Sequence, residues 1–385
     1  MVKFRHDKNQ FLEYIERIGN NLPQMIVCSI DEAIFDYETA KKFNNATKKN
    51  KHIYQLGISD SIFKKGSLFK KSPLNLVLDG ILSMGFDYIN LPECQLKDCL
   101  DADTIKYLSH EQVKSISISG SELSSSDVEI IAKGIQLNKN IASVSLNNCS
   151  IRDAGLIFLS NAISQHKSIK NLVVSSSVRI EYLFRDDVDV LHNKFDQTSV
   201  DYFFNSIKNH ETITHLNFSG NKVANIDKLV EFVQINNTIA QLNLSSCGII
   251  EADNLFHAMK NQNSIKALNF SGNKITNMDK LLEFLQTNTT ITDLNLCGCN
   301  ISNVDIDRIL QILISNNTIV YLELDGNDEF NDSCGKALIE LMKKNHTLKY
   351  LGLATHNDLL SEGCIEEILL EMEKREDLEI NLHSH

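Results

Sequence analysis

The stretch Ile213–Thr290 reads ITHLNFSGNKVANIDKLVEFVQINNT (213–238), IAQLNLSSCGIIEADNLFHAMKNQNS (239–264) and IKALNFSGNKITNMDKLLEFLQTNTT (265–290), one pattern written three times. Ile213, Ile239 and Ile265 head the copies, Leu216, Leu242 and Leu268 follow three positions on, and Phe218, Leu244 and Phe270 two further. Asn221, Cys247 and Asn273 come next, then Val223, Ile249 and Ile275. In the first half of each copy apolar and polar residues alternate, the period of a strand with one buried face. In the second half apolar residues recur every three to four positions: Ile226, Leu229, Val230, Val233; Ala252, Leu255, Phe256, Met259; Met278, Leu281, Leu282, Leu285. That is the period of an amphipathic helix, so each copy is a strand followed by a helix. A unit this short cannot bury its apolar face alone, and successive copies must stack to form a core.

The string I-x-x-L-x-L/F-x-x-N/C-x-I/V resembles a leucine-rich repeat. Unit lengths of about 26 to 29 with a full helix per unit are similar to those of the ribonuclease-inhibitor-like subfamily. The resemblance implies an α/β fold, a right-handed horseshoe solenoid with a parallel sheet on the concave face and helices on the convex one. Its Leu, Ile and Phe positions point inward, each burial contributing about 1.5–3 kcal/mol. Asn221, Asn273 and Asn327 alternate with Cys94, Cys149, Cys247 and Cys299 at the turn that leaves the strand. Backbone groups lose their sheet partners there; Asn supplies both a donor and an acceptor, and Cys a small, weakly polar substitute. The helices end near Asn236, Gln262, Asn288, Asn316 and Asn345, read as closures in the left-handed conformation that Asn tolerates.

Outward from this stretch the pattern weakens. Phe86, Ile89, Leu91, Cys94 and Leu96 fill it in order, and copies headed by Val113, Ile141 and Ile169 follow, with Ser121 in the place of the usual Asn or Cys. The Ile169 copy needs about 44 residues to reach Ile213, an excess of roughly 16 that falls near 178–197 and includes Tyr182, Phe184 and Arg185. Surplus residues in a stacked array must leave it as a loop, which makes this segment either a passive excursion or a specificity loop. Copies headed by Ile291, Ile319 and Leu348 complete the array. The organisation expected is a helical cap over 1–24, degenerate repeats over 25–85, regular repeats over 86–354, and a capping helix and strand over 355–385.

Fifty acidic against 38 basic residues give a formal charge of −12, which argues against a nucleic-acid partner. Two lysine groups (Lys48, Lys49, Lys51; Lys64, Lys65, Lys70, Lys71) are the densest positive charge, a solvated face or a dock for an acidic partner. No apolar run is long enough to span a bilayer, and the charged N-terminus lacks the form of a secretory signal. Nine cysteines, an odd number set mostly inside the repeat pattern, suit a reducing cytoplasmic compartment better than a disulfide scaffold. A monomer is expected.

No nucleophile–base set, P-loop or paired-carboxylate spacing stands out, and neither cofactor nor metal is implied. Cys297-Gly-Cys299 places its two thiols in different repeat roles, and His383 and His385 are terminal. What remains for function is the exposed sheet face. Its residues are small and polar early in the chain (Ser115, Ser117, Ser143, Ser145), and Asn217, Asn243, Asn269 and Asn295 stack as an amide ladder able to satisfy itself. Acidic and aromatic residues gather in the last third. Candidate partner-binding residues are therefore His215, Gln241, Asp293, Asn295, Tyr321, Glu323, Asp325 and Tyr350, with Tyr182, Phe184 and Arg185 from the insertion. Tyrosine favours interface centres and clustered carboxylates steer a basic partner. The first reading is thus a non-enzymatic module binding a protein partner on its concave face. The Glu-rich segment Glu362–Glu376 resembles translocation signals of type IV effectors from intracellular bacteria such as Legionella, which implies delivery into a host cytosol. The second reading is a GTPase-activating protein, because Ran GTPase activators share this repeat type; the resemblance there is of architecture alone.

Overall fold

The computed structural model describes residues 2–23, 27–65, 71–176, 193, 195–327, 330–353 and 360–382, and falls into two compact units, Met1–Ile213 and Thr214–His385. Tyr182, Phe184, Arg185, Lys70, Ala354, His383 and His385 lie outside the described residues.

The first unit runs β1 (Val2–Lys3), α1 (Lys8–Gly19), β2 (Val27–Asp31), β3 (Ile34–Phe35), α2 (Tyr37–Lys49), β4 (Gln55–Ser59), β5 (Ile62–Phe63), α3 (Pro73–Ser83), β6 (Tyr88–Asn90), α4 (Thr104–Leu108), β7 (Ser115–Ser117), α5 (Ser125–Leu137), β8 (Ser143–Ser145), α6 (Asp153–Ile163), β9 (Asn171–Val173) and α7 (Gln197–Ile207). Helix α1 is amphipathic, capped by the Asp7 carboxylate and buried through Phe11, Tyr14, Ile15 and Ile18. It is preceded by strand β1, which pairs in parallel with β2, so the first segment already has the strand-then-helix order of a coil. Phe4, Phe11, Phe35 and Phe43 replace the leucines of the regular coils; Phe35 stacks on Phe63 at 4.9 Å and meets Phe11 edge-on at the same distance. Strands β6 to β9 pair in sequence, Ile89, Ile116, Val144 and Leu172 standing side by side and buried.

The second unit runs β10 (His215–Asn217), α8 (Asp227–Ile235), β11 (Gln241–Asn243), α9 (Asp253–Met259), β12 (Ala267–Asn269), α10 (Met278–Thr287), β13 (Asp293–Asn295), α11 (Asn303–Leu313), β14 (Tyr321–Glu323), α12 (Asp332–Lys344), β15 (Tyr350–Gly352), α13 (Glu362–Met372) and β16 (Glu379–Asn381). Its strands are parallel and in step: Leu216, Leu242, Leu268, Leu294, Leu322, Leu351 and Ile380 form one buried row. The residues on either side of that row face away from the helices. Both units are α/β solenoid coils of the leucine-rich-repeat type, with open parallel sheets and a helix after the strand or strand pair of each coil. The helical core differs in detail from the sequence expectation. Val230 and Met278 are only half-buried, whereas Phe232 and Phe284, one helical turn beyond Leu229 and Leu281, are fully buried.

Two rows of polar side chains bolt each coil to the one before it. The first is the Asn/Cys row. Asn273 accepts from the backbone N–H of Cys247 and Ile249, both at 3.0 Å, and donates to the carbonyls of Leu244 and Phe270 at 2.8 and 2.9 Å. Asn327 repeats this one pair of coils later, on Cys299, Ile301, Leu296 and Leu324. The cysteines each reach one carbonyl of the preceding coil: Cys94 to Ile58, Cys149 to Ile118, Cys247 to Phe218 and Cys299 to Phe270. Asn221 donates to Phe218. Ser121 fills the row by accepting from the Cys94 N–H and donating to Leu91.

The row also locates the insertion. The Ile169 copy resumes at Asn193, whose amide oxygen accepts from Cys149 and Ile151 and whose amide nitrogen donates to Leu146 and Ser175. The Asn193 N–H donates in turn to Ser176 Oγ, so Ser176 and Asn193 stand side by side and the surplus falls between them rather than running on to Gln197, which begins α7.

The second row corrects the reading of the helix ends. Asn236, Asn288 and Asn345 have φ of −71°, −65° and −91°, outside the left-handed region. Each instead accepts from the two N–H groups that follow it. Gln262, Asn316 and Asn345 also donate back to carbonyls at the end of the previous helix. Left-handed residues stand instead just before the Asn/Cys row, at Asn148, Ser246, Gly272 and Gly298 among others, and close the described helices only at Asn21 and Gly85, in the first coils. In the last coil Arg375 takes over the bolt, donating from Nη1 to the Met342 and Asn345 carbonyls.

Candidate functional site

The sheet face of the second unit presents, at the first position of successive strands, His215, Gln241, Ala267, Asp293, Tyr321, Tyr350 and Glu379. At the third position it presents Asn217, Asn243, Asn269, Asn295, Glu323, Gly352 and Asn381. The four asparagines do stand in register, yet each oxygen accepts from the N–H two residues ahead, at Ser219, Ser245, Ser271 and Cys297. They fold their own turns. That is a local side chain to backbone bond of the kind Asn makes wherever a strand stops.

The chemistry concentrates at β13 to β15. Tyr321 and Tyr350 lie on adjacent strands, and their rings stack with centroids 4.4 Å apart and planes 7° from parallel. Both phenols donate to one carboxylate: Tyr321 to Glu323 Oε2, and Tyr350 to Oε1 at 3.4 Å. Glu323 is 8% exposed. It fits because β15 carries Gly352 beside it; an added Cβ there would stand 1.8 Å from Glu323 Oε1 and 2.8 Å from Asp325 Oδ1. Burial raises the Glu323 carboxyl above its ordinary range, and the charge of Asp325 pushes the same way against the two phenol bonds. Burial likewise raises the Tyr321 hydroxyl, helped by its bond to Glu323, and the Tyr350 hydroxyl, helped by Glu323 and Asp325.

The structure thus brings together Asp293, Asn295, Tyr321, Glu323, Asp325 and Tyr350. His215 and Gln241 are exposed on the same face but lie three and two strands away from β13. Gly352, read in sequence as a position of this face, belongs to the site, as do Glu379 and Asn381, which were not foreseen. The alternation Leu378, Ile380, Leu382 carried the signal for the last two, since it extends the exposed rows by one strand.

Cys297 is half-buried beside this cluster; burial and the charges of Glu323 and Asp325 push its thiol up to about 12, far from a reactive thiolate. All nine cysteines are free. Among the described residues no three His, Cys, Asp or Glu side chains converge to hold a metal, and no helix is long and apolar enough to cross a membrane. Several lysines of the N-terminal groups are engaged: Lys48 and Lys71 both lie against Asp79, at 2.6 and 3.8 Å, and Lys65 against Asp98 at 3.1 Å.

No protein-family model matches the chain, and no curated protein matches it. Among solved structures it is similar to leiomodin-1 actin-binding site 2, at 20% identity and a TM-score of 0.33, over 39% of this chain and 91% of that one.

Proposed function

We propose that this protein is a non-catalytic binding module that takes a basic protein segment on the sheet face of its second unit. The observation that carries this reading is the stacked pair Tyr321–Tyr350 with the Glu323 carboxylate held against it. Large aromatic side chains with few rotatable bonds contribute most at the centre of an interface. Glu323 is ionised at a cost set by its burial and by Asp325, and an approaching cation offsets that cost. Asp293 is exposed on the adjoining strand and, with the formal charge of −12, favours encounter with a basic partner.

A fluorescently labelled arginine-rich peptide tests this by anisotropy. It is expected to bind, to weaken as salt is raised, and to bind more tightly than an acidic peptide of equal length. Tyr350→Ala is expected to weaken it about thirtyfold, the ~2 kcal/mol of an interface hot spot. Unchanged binding in both Tyr350→Ala and Asp325→Asn would remove the site from this face.

A finer proposal concerns setting. The acidic run of α13 and its continuation to Glu376 supports delivery as a bacterial effector into a host cytosol. A reporter fused to the segment from Ser361 to the end is expected to enter host cells in a manner dependent on the type IV apparatus. Failure of that fusion to transfer, with a known signal transferring in parallel, would sink the idea.

A further inference from the structure

The second row of bolts has a change of chemistry at two consecutive places. Three residues before the apolar heads from Val113 to Leu348 stand His110, Asn138, His166, His210, Asn236, Gln262, Asn288, Asn316 and Asn345; His110 is exposed, whereas His166 and His210 are buried. Six of these are amides, which do not titrate. The two buried imidazoles open and close a single coil of the first unit, the one running through β9 and α7.

Both rings are buried, and their hydrogen bonds fix which nitrogen carries the proton. His166 Nε2 stands 2.6 Å from the Asn138 carbonyl and His210 Nε2 3.2 Å from the Ile163 carbonyl. A carbonyl can only accept, so Nε2 donates in each. On the other side, His166 Nδ1 faces the Ser168 N–H at 3.3 Å, and His210 Nδ1 faces the N–H groups of Thr212 and Ile213 at 3.3 and 3.2 Å. A backbone N–H can only donate, so Nδ1 accepts. The His210 bolt therefore works solely as the neutral Nε2–H tautomer. At His210 a second proton at Nδ1 would set N–H against two N–H groups in a buried site and abolish both accepting bonds, whereas His166 Nδ1 also has the Ser168 hydroxyl at 3.4 Å, which can accept.

We propose that His210 makes an acid-labile fastening, whose protonation frees the coil that ends at it from the coil before, while the amide-bolted coils stay closed. The groups acting on His210 agree with this. Burial lowers its affinity for a proton, His166 and Lys167 push in the same direction, and the Ile163 carbonyl and Glu211 oppose them. Lys167 and Glu211 pair with each other at 3.4 Å and are largely exposed, which leaves burial in command. Because the folded His210 ring binds its proton less readily than the unfolded one, its contribution is present above the unfolded pKa of about 6.5, declines below it, and is fully lost once pH falls through the lower folded pKa.

Hydrogen exchange followed by mass spectrometry, corrected for the intrinsic pH dependence of exchange, tests the proposal on the full chain. Peptides covering 163–176 and 195–213 are expected to lose protection at least tenfold between pH 7.5 and pH 5.5, while peptides covering 288–350 hold theirs. The variant His210→Asn, which installs the amide used by neighbouring coils, is expected to hold protection at both pH values. His210→Gln, which copies the amide of Gln262, serves if that variant folds poorly, and is expected to remove most of the loss over 195–213. Equal acid loss in wild type and variant, or none in wild type, overturns the proposal.

Discussion

Asn273→Leu is expected to destabilise the protein by at least about 3 kcal/mol, because three buried backbone groups lose their partner at once, a fourth keeps only a thiol, and each unsatisfied group costs about 1–3 kcal/mol. The three are the Cys247 and Ile249 N–H and the Leu244 carbonyl, and the fourth is the Phe270 carbonyl, which Cys299 Sγ also reaches; all gather on one side chain that is 3% exposed. Leucine fills the volume and meets none of them. A loss of that size is a large part of the about 5–15 kcal/mol that holds an ordinary domain together. In a stack it also falls on an interface between coils, so unfolding is expected to begin between β11 and β12 and to broaden the transition. Asn273→Cys is the informative control. The Cys247 and Cys299 thiols each reach a carbonyl of the previous coil from the equivalent position, so a thiol here should regain the Leu244 carbonyl and forfeit only the acceptor. Its expected cost is about 1–3 kcal/mol, that of two N–H groups left to weaker partners. Urea denaturation at neutral pH reads both. An Asn273→Leu protein within about 1 kcal/mol of wild type would mean that the row does not hold the coils together.

The fold was legible because three copies in a row repeat both periods without a break, so the leucine row could be aligned by counting. Where the interval between copies changes, counting misleads. The 16 surplus residues hid Asn193, although the place of Asn193 in the row follows from the Leu146-to-Cys149 interval once the surplus is removed. Phe232 and Phe284 escaped because four apolar positions already completed a helical face, and the aromatic beside them looked redundant. The helix-end amides were recognised as punctuation but given the wrong physics. An Asn before Thr or Ser fits a left-handed closure and an inter-coil bolt equally well in sequence, and only the negative φ with its hydrogen bonds decides between them. For the same reason His166 and His210 went unseen: an imidazole is not recognised as the counterpart of an amide until both are found bonding the carbonyls of the preceding coil.

The site on β13 to β15 was legible to the extent that register alone defines it. Strict alternation put Tyr321 beside Tyr350 and Glu323 two residues on, and the paired strands do so. What alternation cannot supply is depth. Glu323 occupies a position that reads as exposed and is buried, since the strand beside it lacks a side chain at Gly352.

That dependence supports the second large prediction, Gly352→Ala. The residue lies mid-sheet in extended backbone, so alanine brings no conformational penalty of the kind a left-handed glycine would. Its methyl group would overlap Glu323 Oε1, 1.8 Å from the ideal Cβ. The atom displaced is the far end of a flexible side chain, and the carboxylate is expected to swing out toward solvent, abandoning the Tyr321 and Tyr350 hydroxyls and leaving the two rings unpinned. Folding stability should change by less than about 1 kcal/mol, the range of surface substitutions that leave the core alone. Binding of the arginine-rich peptide should fall at least tenfold, because the pre-set carboxylate and the rigid aromatic pair are lost together and must be reordered on association. A double-mutant cycle separates this route from simple crowding of the partner. If Gly352→Ala acts by expelling the carboxylate, it should add little once Glu323→Ala has removed that group, and the two losses will be strongly non-additive. Losses that add fully would mean that the methyl group obstructs the ligand itself. Peptide binding at wild-type strength in Gly352→Ala would show that the order imposed on Glu323 has no part in recognition.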